Sequence, residues 1–255
     1  MRTDLRIWLD HFEYHSQHRS ALPPGKADEL TPYERRLIAG SIATFQLGEQ
    51  SEGRSLLSAA QRYEQTHDVQ PLARVIAMFI AEEQHHAALL GGFMDQHGIP
   101  KKRRDWTDDV FRRVRRLAGF ELHLSVLITA EMIGIVYYRA LEAATGCRQL
   151  RALCHLLVAD ELAHVGFESD LLLTAQEQKG AIGRVASTLA HKAFFTGAAL
   201  VVWFTHGRVL RGAGYRLRTY LRACAAQFAF YLESPPIKAS THAVAASGLL
   251  GKESS

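Results

Sequence analysis

The sequence AEEQHH ends at His86, and the related sequence ADELAH ends at His164. Each contains a glutamate three residues before its last histidine, Glu83 in the first and Glu161 in the second. In an α-helix, residues three apart lie on the same face. The two stretches therefore predict two helices that each present a carboxylate and an imidazole side by side.

The sequence around these stretches has the apolar spacing of three and four that is typical of amphipathic helices. Only seven prolines occur among 255 residues, and they leave long segments without one. At residues 31–34, a threonine N-cap, a proline at the first helical position and a glutamate three residues after the cap form a capping box. These features predict an all-α chain whose first long helix begins after Thr31.

The first long helix is predicted to continue past Glu49 to Tyr63, because one apolar stripe runs through both positions. Residues 67–70 interrupt this stripe. Three further long helices are predicted from the later stripes, between residues 71 and 98, 120 and 146, and 150 and 180.

Each of the four long stripes is apolar at both ends and carries one glutamate near its middle. These glutamates are Glu49, Glu83, Glu131 and Glu161. An ionised carboxylate that is buried without a partner is strongly unfavourable. A single such glutamate could be satisfied by an arginine in the core, but four at equivalent places predict a shared partner.

The second helix contains a rival Glu-x-x-His pair, Glu82 with His85, which lies about 100° around the helix from Glu83 and His86. Both pairs lie in apolar stripes. We favour Glu83 and His86, because their stripe is longer and their spacing matches that of the fourth helix. The other phase stays open as an alternative.

The order Glu, Glu-x-x-His, Glu, Glu-x-x-His resembles the ferritin-like di-iron carboxylate superfamily, which includes bacterioferritin, rubrerythrin, the ribonucleotide reductase small subunit and bacterial di-iron oxygenases. The resemblance covers about residues 31–178. It implies a ferritin-like four-helix bundle, with additional N-terminal and C-terminal helices in this chain. The metal ligands that it implies are Glu49, Glu83, His86, Glu131, Glu161 and His164.

The cofactor that the resemblance implies is a pair of Fe ions, with Mn as the alternative. Four ionised glutamates carry a charge of −4, which two divalent cations neutralise. Oxygen and imidazole donors without a thiolate fit iron or manganese better than copper or structural zinc.

Two further acids, Glu82 and Asp160, each come directly before a predicted ligand glutamate. A metal-bound imidazole usually donates its other N–H to a carboxylate, which fixes the tautomer. The resemblance implies that Asp160 holds His86 and that Glu82 holds His164. For Glu82, a solvated surface acid is the alternative.

The resemblance leaves several reactions open. The long part of the chain beyond the fourth helix disfavours ferritin-type iron oxidation and storage, and the missing cysteine pairs disfavour a rubrerythrin with its rubredoxin module. We expect a di-iron oxidoreductase that uses O2 to oxidise a small, apolar organic substrate and that receives electrons from a donor protein. The alternatives are a ferritin-type protein and a lipid-modifying di-iron protein at a membrane surface.

Small and apolar residues near the predicted ligands mark the expected substrate cavity. Gly53 follows the first predicted ligand by four residues, and Gly134 and Ile135 follow Glu131 by three and four. Tyr138 lies seven residues after Glu131 on the same face. It is either a catalytic phenol or a core tyrosine whose hydroxyl forms a hydrogen bond.

The domain organisation that we predict is one helical domain over residues 1–236. Its bundle core spans about 31–178, and a short helix near 110–117 lies inside it. Two additional helices are expected over 181–232. The small and polar residues 237–255 predict a flexible tail.

Composition excludes several classes of protein. The 30 Lys plus Arg and 26 Asp plus Glu give a net charge of +4, which is too small to indicate nucleic-acid binding. The three cysteines form no Cys-x-x-Cys pair, which disfavours zinc ribbons and disulfide scaffolds. Residues 1–20 lack the apolar core of a secretory signal. We therefore expect a cytoplasmic protein, with peripheral attachment to the inner membrane face as an alternative.

The C-terminal part of the chain allows more than one interpretation. Residues 193–204 are apolar, and arginines are frequent over 208–222. This region could form buried bundle helices, a homodimer interface or a surface for anionic lipids. The basic residues here and at 101–104 are either solvated or a docking site for an acidic electron donor.

Three histidines near the N-terminus share one helical face: His11, His15 and His18. A metal site formed by these residues is a weaker hypothesis than an ordinary amphipathic helix. We therefore expect this helix to pack against the bundle.

Overall fold

The computed structural model describes residues 4–50, 53–106 and 119–233. These residues form helices joined by short connections, and no β-strand occurs among them. The predicted all-α class is therefore confirmed. The helices are α1 (Leu5–Gln17), α2 (Pro32–Glu49), α3 (Arg54–His67), α4 (Leu72–Gln96), α5 (Phe120–Ala143), α6 (Arg148–Glu177), α7 (Ala181–Gly212) and α8 (Leu217–Phe228), followed by a π-helical turn (Ala229–Glu233).

The capping box predicted at the start of α2 is confirmed. The Thr31 hydroxyl oxygen accepts a hydrogen bond from the Glu34 backbone N–H at 3.2 Å. The Glu34 carboxylate accepts one from the Thr31 backbone N–H at 2.9 Å. These two bonds satisfy N–H groups that have no partner inside the helix, and they fix where α2 begins.

The prediction of one continuous helix through Glu49 to Tyr63 is wrong. Helix α2 ends at Glu49, and α3 begins at Arg54. Gly53, which precedes α3, has φ +62°, a left-handed conformation that interrupts a helix. A Cβ atom at this position would also lie 2.6 Å from side-chain atoms of Ile80. The break places Glu49 in the last turn of its helix.

The core has two apolar clusters, and α4 and α6 pass through both. The first half of α4 contributes Phe79 to one cluster, and its second half contributes Phe93 to the other. Helix α6 has the reverse order, with Leu157 in the second cluster and Phe167 in the first. The two helices therefore run in opposite directions, and the polar residues at their middles lie between two apolar layers.

Helix packing brings the four predicted stripes together. Helices α5 and α6 form the most extensive contact, α2 and α3 pack on α4, and α4 also contacts α6. Helix α1 packs on α4, while α7 contacts α2 and α5. This arrangement is compatible with a four-helix bundle that has helices added on the outside.

Two of the described helices, α5 and α7, are long and apolar enough to cross a membrane. The most apolar window of α5 is 78% buried inside the protein, whereas that of α7 is 22% buried. A core helix of a soluble protein also meets this criterion, so soluble and membrane-associated states both agree with the fold. The segment 193–204, for which a buried helix was one of the expectations, lies in α7 and is buried on one side only, with Phe195 inside and Phe204 exposed.

Some predictions fall on residues outside the described ranges. These are the short helix near 110–117 and the tail over 237–255.

Candidate metal centre

Four side chains from α4 and α6 converge between the two apolar clusters. We call them the inner cluster: Glu83, His86, Glu161 and His164. One ligand atom from each residue lies within 4.8 Å of the ligand atoms of the other three. His164 Nδ1 lies 2.9 Å from Glu83 Oε1, and His86 Nδ1 lies 3.3 Å from Glu161 Oε1. Each imidazole thus turns its Nδ1 towards the glutamate of the opposite helix.

The inner cluster is buried, and its polar atoms lack ordinary partners. His86 and His164 have no exposed side-chain surface, and Glu161 is 1% exposed. Glu83 Oε1, both Glu161 carboxylate oxygens and both Nδ1 atoms form no hydrogen bond. Buried polar atoms without partners are unfavourable, and native proteins rarely leave several together. The donor set of imidazole nitrogen and carboxylate oxygen fits a cation, so this cluster could hold a metal ion.

The rival pair on α4 does not join this cluster. His85 Nε2 lies 2.8 Å from the backbone oxygen of Ser20, which precedes α2. Glu82 lies beside the inner cluster but turns one carboxylate oxygen outwards to His15 of α1, at 2.7 Å. The structure thus brings Glu83 and His86, and not Glu82 and His85, face to face with the residues of α6.

Glu49 and Glu131 lie at the edge of the inner cluster, on the wall of a cavity that Glu83 and Glu161 also line. The Glu49 carboxylate accepts a hydrogen bond from the Tyr138 hydroxyl at 2.5 Å. Burial raises the pKa values of Glu49 and Glu131 well above the usual range, and the charges of Glu83 and Glu161 raise them further. Without a cation, these two carboxyls therefore hold protons.

Burial acts on the pKa of an imidazole in the opposite sense, because it disfavours the protonated, charged form. Burial lowers the pKa values of His86 and His164, but the surrounding carboxylates outweigh it and raise both values well above the usual range. The cluster without metal is therefore stabilised by protons on imidazole and carboxyl groups. A metal ion would replace these protons, because ligand atoms must be deprotonated to bind it.

Two acids face the outer nitrogens of the inner histidines. Asp160 Oδ2 lies 3.2 Å from His86 Nε2, and Glu82 Oε2 lies 3.4 Å from His164 Nε2. The structure places each acid next to the imidazole that the sequence resemblance implied. Burial alone would raise the pKa of Glu82, but the hydrogen bond with His15 and the charge of His164 hold it well below the usual range. Glu82 is therefore ionised and suited to accept an imidazole N–H.

An apolar cavity of about 170 Å³ opens next to the acids. Its walls include Phe79, Leu127 and Val201 in addition to the glutamates. Gly53 and Gly134 line it as expected. Ile135 does not, because it turns into the first apolar cluster and is fully buried there. Ile133 is on the cavity wall instead.

Tyr138 lies on the same wall, with its ring 1% exposed. Burial raises the pKa of its hydroxyl well above the usual range. The hydroxyl therefore stays protonated and donates to Glu49. A core tyrosine with a hydrogen-bonded hydroxyl describes this geometry, and a catalytic role for the phenol stays a prediction.

One acid near the site was missed by the sequence analysis. Glu168 of α6 is 1% exposed, and neither of its carboxylate oxygens has a hydrogen-bond partner. Burial raises its pKa well above the usual range, so the carboxyl is neutral. Its position four residues after His164 and seven after Glu161 was the available signal, because these three residues share one helical face.

The three cysteines lie in the two apolar clusters. Cys147, Cys154 and Cys224 are buried and free. This agrees with the expectation that Cys147 and Cys154 are packing groups.

Comparisons with family models, with curated proteins and with solved structures find no match for this chain. Its functional interpretation therefore depends on the geometry of the site.

Proposed function

We propose that this protein is a di-iron carboxylate oxidoreductase that activates O2 to oxidise an apolar organic substrate. The observation that carries the proposal is the inner cluster, in which two Glu-x-x-His pairs on opposed helices lie beside an apolar cavity. Glu49 and Glu131 on the cavity wall complete a set of four carboxylates and two imidazoles.

The ligands that we assign to two iron ions are Glu49, Glu83, His86, Glu131, Glu161 and His164. The four glutamates supply the negative charge that two divalent cations balance. The low tendency of Glu49 and Glu131 to ionise without metal agrees with a site that needs cations to hold all four carboxylates charged. Manganese, which prefers the same donors, is the alternative metal.

Bound iron would supply the change of oxidation state and the O2-binding position that the side chains lack. The chain's own groups prepare this site. Asp160 forms a hydrogen bond with His86 Nε2, and Glu82 Oε2 lies 3.4 Å from His164 Nε2, so both acids favour a proton on Nε2 and leave Nδ1 free as a ligand. The Tyr138 hydroxyl donates to Glu49 and fixes the orientation of that carboxylate.

The cavity indicates what kind of substrate reaches the acids. Its walls are mainly apolar, and an apolar wall of this kind excludes water and favours an apolar molecule. A cavity of about 150 Å³ lined by apolar residues can bind a molecule the size of benzene. We therefore expect a small apolar substrate, or the apolar end of a larger one.

The overall reaction needs a reductant. Conversion of a substrate C–H bond to C–OH by O2 takes up two electrons and two protons and releases one water molecule. We propose that an acidic electron-donor protein supplies the electrons. The exposed basic residues of the C-terminal part, such as Arg216, Arg218 and Arg222, offer a complementary surface.

Metal content is the first test. After anaerobic loading with Fe(II), elemental analysis should find close to two irons per chain. Glu161→Gln should lose most of this iron, whereas Glu168→Gln, the same substitution on the same helix, should keep it, since the Glu168 carboxyl is neutral. Iron content near zero would overturn the proposal.

Reaction with O2 separates the oxidoreductase from a ferritin. The proposed enzyme should consume O2 once for each reduced site and then stop until electrons are supplied. A ferritin should continue to oxidise added Fe(II) and collect it as a mineral. Size-exclusion mass and the ratio of iron to protein after repeated additions decide between them. A large cage filled with iron would replace our assignment with storage.

The cavity is tested with benzene as a probe, by calorimetry on the metal-loaded protein. The wild-type protein should bind benzene, and Gly134→Leu should not, because the new side chain extends into the cavity. The Cβ atom itself has room, since the nearest side-chain atom, Cε2 of Tyr138, lies 3.9 Å away. If the wild-type protein does not bind benzene, the argument for an apolar substrate fails.

A second candidate function follows from the exposed side of α7. We propose that this helix docks on an anionic membrane and that the substrate is the apolar part of a lipid. Four large apolar side chains are largely exposed along α7: Ile182, Val185, Leu189 and Phe204. Exposed arginines at 184, 208 and 211 accompany them, which favours negatively charged headgroups. Val201 and Val202 of the same helix line the cavity.

Co-sedimentation with vesicles tests this candidate. The protein should bind vesicles that contain phosphatidylglycerol, and Leu189→Asp should abolish binding. Tyr33→Asp, an equally exposed apolar position on α2, is the matched control. Failure to bind at low salt would overturn the candidate. A stable dimer that Leu189→Asp dissociates would assign this face to a second copy of the chain instead.

A further inference from the structure

Helix α1 brings a histidine to the outer side of the inner cluster. His15 Nδ1 lies 2.7 Å from Glu82 Oε1 and 3.9 Å from Asp160 Oδ1. One ligand atom from each of the three residues lies within 4.8 Å of the other two. Each acid thus turns one oxygen inwards, to a histidine of the inner cluster, and the other outwards, to His15. We call His15, Glu82 and Asp160 the outer group.

The two carboxylates of the outer group have only histidines as charge partners among the described residues. Glu82 is 12% exposed and Asp160 is 14% exposed. Among the described residues, the ion pairs of both acids are with histidines, and no lysine or arginine pairs with either. Arg19 borders the same small cavity without forming such a pair. Two carboxylates in this position carry a charge of −2, which one divalent cation would neutralise.

The outer group has room for an ion and a way to reach it. A cavity of about 20 Å³ is lined by all three residues. This volume suffices for one water molecule or one ion. His15 is 15% exposed, so the cavity lies near the surface and outside the layer of the inner histidines.

A second, independent observation comes from His11, one helical turn before His15. His11 is 6% exposed, and neither ring nitrogen has a hydrogen-bond partner. Its ring centre lies 4.2 Å from that of His15.

We propose that the outer group binds one Zn²⁺ ion. One imidazole and two carboxylates suit Zn²⁺, with water at the remaining position. The ion shares Glu82 and Asp160 with the imidazoles of the inner cluster. It draws negative charge away from both acids, which weakens their hold on the imidazole N–H groups.

Zinc titration of the full chain, first freed of metal with a chelator, tests the outer site. The wild-type protein should bind one more equivalent of Zn²⁺ than His15→Asn, by dialysis and elemental analysis. The asparagine amide can still donate to Glu82, so the substitution removes the metal ligand and keeps the hydrogen bond. His155→Asn, on an exposed part of α6, is the matched control and should keep the wild-type content.

The test is a difference between two proteins, so it does not depend on how many ions the inner cluster holds. Failure of the di-iron proposal would change both totals, whereas failure of the outer site would leave them equal. His15→Gln is the second variant if His15→Asn does not fold. Equal zinc content in the wild-type protein and in a folded His15 variant would overturn the outer site.

Discussion

Replacement of Asp160 by asparagine isolates one contact of the proposed metal centre. The amide fills the same volume as the carboxylate and removes its charge. In the structure, Asp160 Oδ2 lies 3.2 Å from His86 Nε2, on the side of the ring away from Glu161. The carboxylate fixes the proton on Nε2 and makes Nδ1 more basic. The asparagine can present its NH2 group to Nε2, which would move the ring proton to Nδ1 and block metal binding there.

The expected loss of metal affinity follows from the contact between Asp160 and His86. Loss of a carboxylate that supports a metal-bound histidine typically weakens metal affinity or activity by about 10–100-fold. This corresponds to about 1.4–2.8 kcal/mol of binding free energy. The fold should change little, because Asp160 lies at the surface side of the inner cluster with 14% exposure.

The assay is an anaerobic Fe(II) titration followed by rapid mixing with O2. Asp160→Asn should show weaker iron binding and slower O2 consumption than the wild-type protein. Asp95→Asn is the control, because Asp95 is 67% exposed and pairs only with Lys101 among the described residues. Titration curves of Asp160→Asn and wild type that coincide would refute the role of Asp160 while leaving the six proposed ligands in place. His15→Asn separates the outer group, since it should leave Fe(II) affinity of the inner cluster within a few-fold of wild type.

Three further predictions concern single side chains. Tyr138→Phe removes the donor to Glu49 and should lower the free energy of unfolding in urea by about 1–3 kcal/mol, and an unchanged value would contradict the hydrogen bond. Gly53→Ala should lower it by about 1–2 kcal/mol or more, because of its left-handed backbone and the contact with Ile80, whereas Gly197→Ala, inside α7 with open space around it, should not. Burial lowers the pKa of His191 to about 4, so the unfolded chain binds a proton below pH 6.5 that the folded chain does not. Between pH 6.5 and 4, this group should lower the free energy of unfolding of the wild-type protein by about 3 kcal/mol. Acid titrations followed by circular dichroism should show that His191→Gln lacks this contribution.

The all-α class and the boundaries of α4 and α6 could be predicted because their signals are local. A capping box, a proline and a glycine mark helix ends, and the apolar spacing marks the buried face. The same spacing identified the phase of α4, in which His86 turns inwards and His85 turns to Ser20. These properties depend on residues that are close in the sequence.

The break after Glu49 could not be predicted from the same signals. The apolar stripe continues at intervals of seven through Leu56 and Tyr63, so its period gives no sign of an interruption. The decisive feature is the backbone of Gly53 against Ile80, a residue of another helix. Glu168 was missed for a different reason, because a single acid after a predicted ligand is usually interpreted as a surface residue. Its burial depends on how the neighbouring helices cover α6.

The outer group could not be predicted from the sequence, because its members are far apart in the chain. The contact between His15 and Glu82 joins residues 67 positions apart, and no spacing rule relates them. Once α1 packs on α4, each acid serves two imidazoles, one on either side. An acid that only supported a buried histidine could lie against apolar residues, whereas these acids keep a second oxygen directed at a histidine near the surface. The position of α1 therefore places each of Glu82 and Asp160 next to two imidazoles. We expect a substitution of His15 to change proton and cation binding in the outer cavity first.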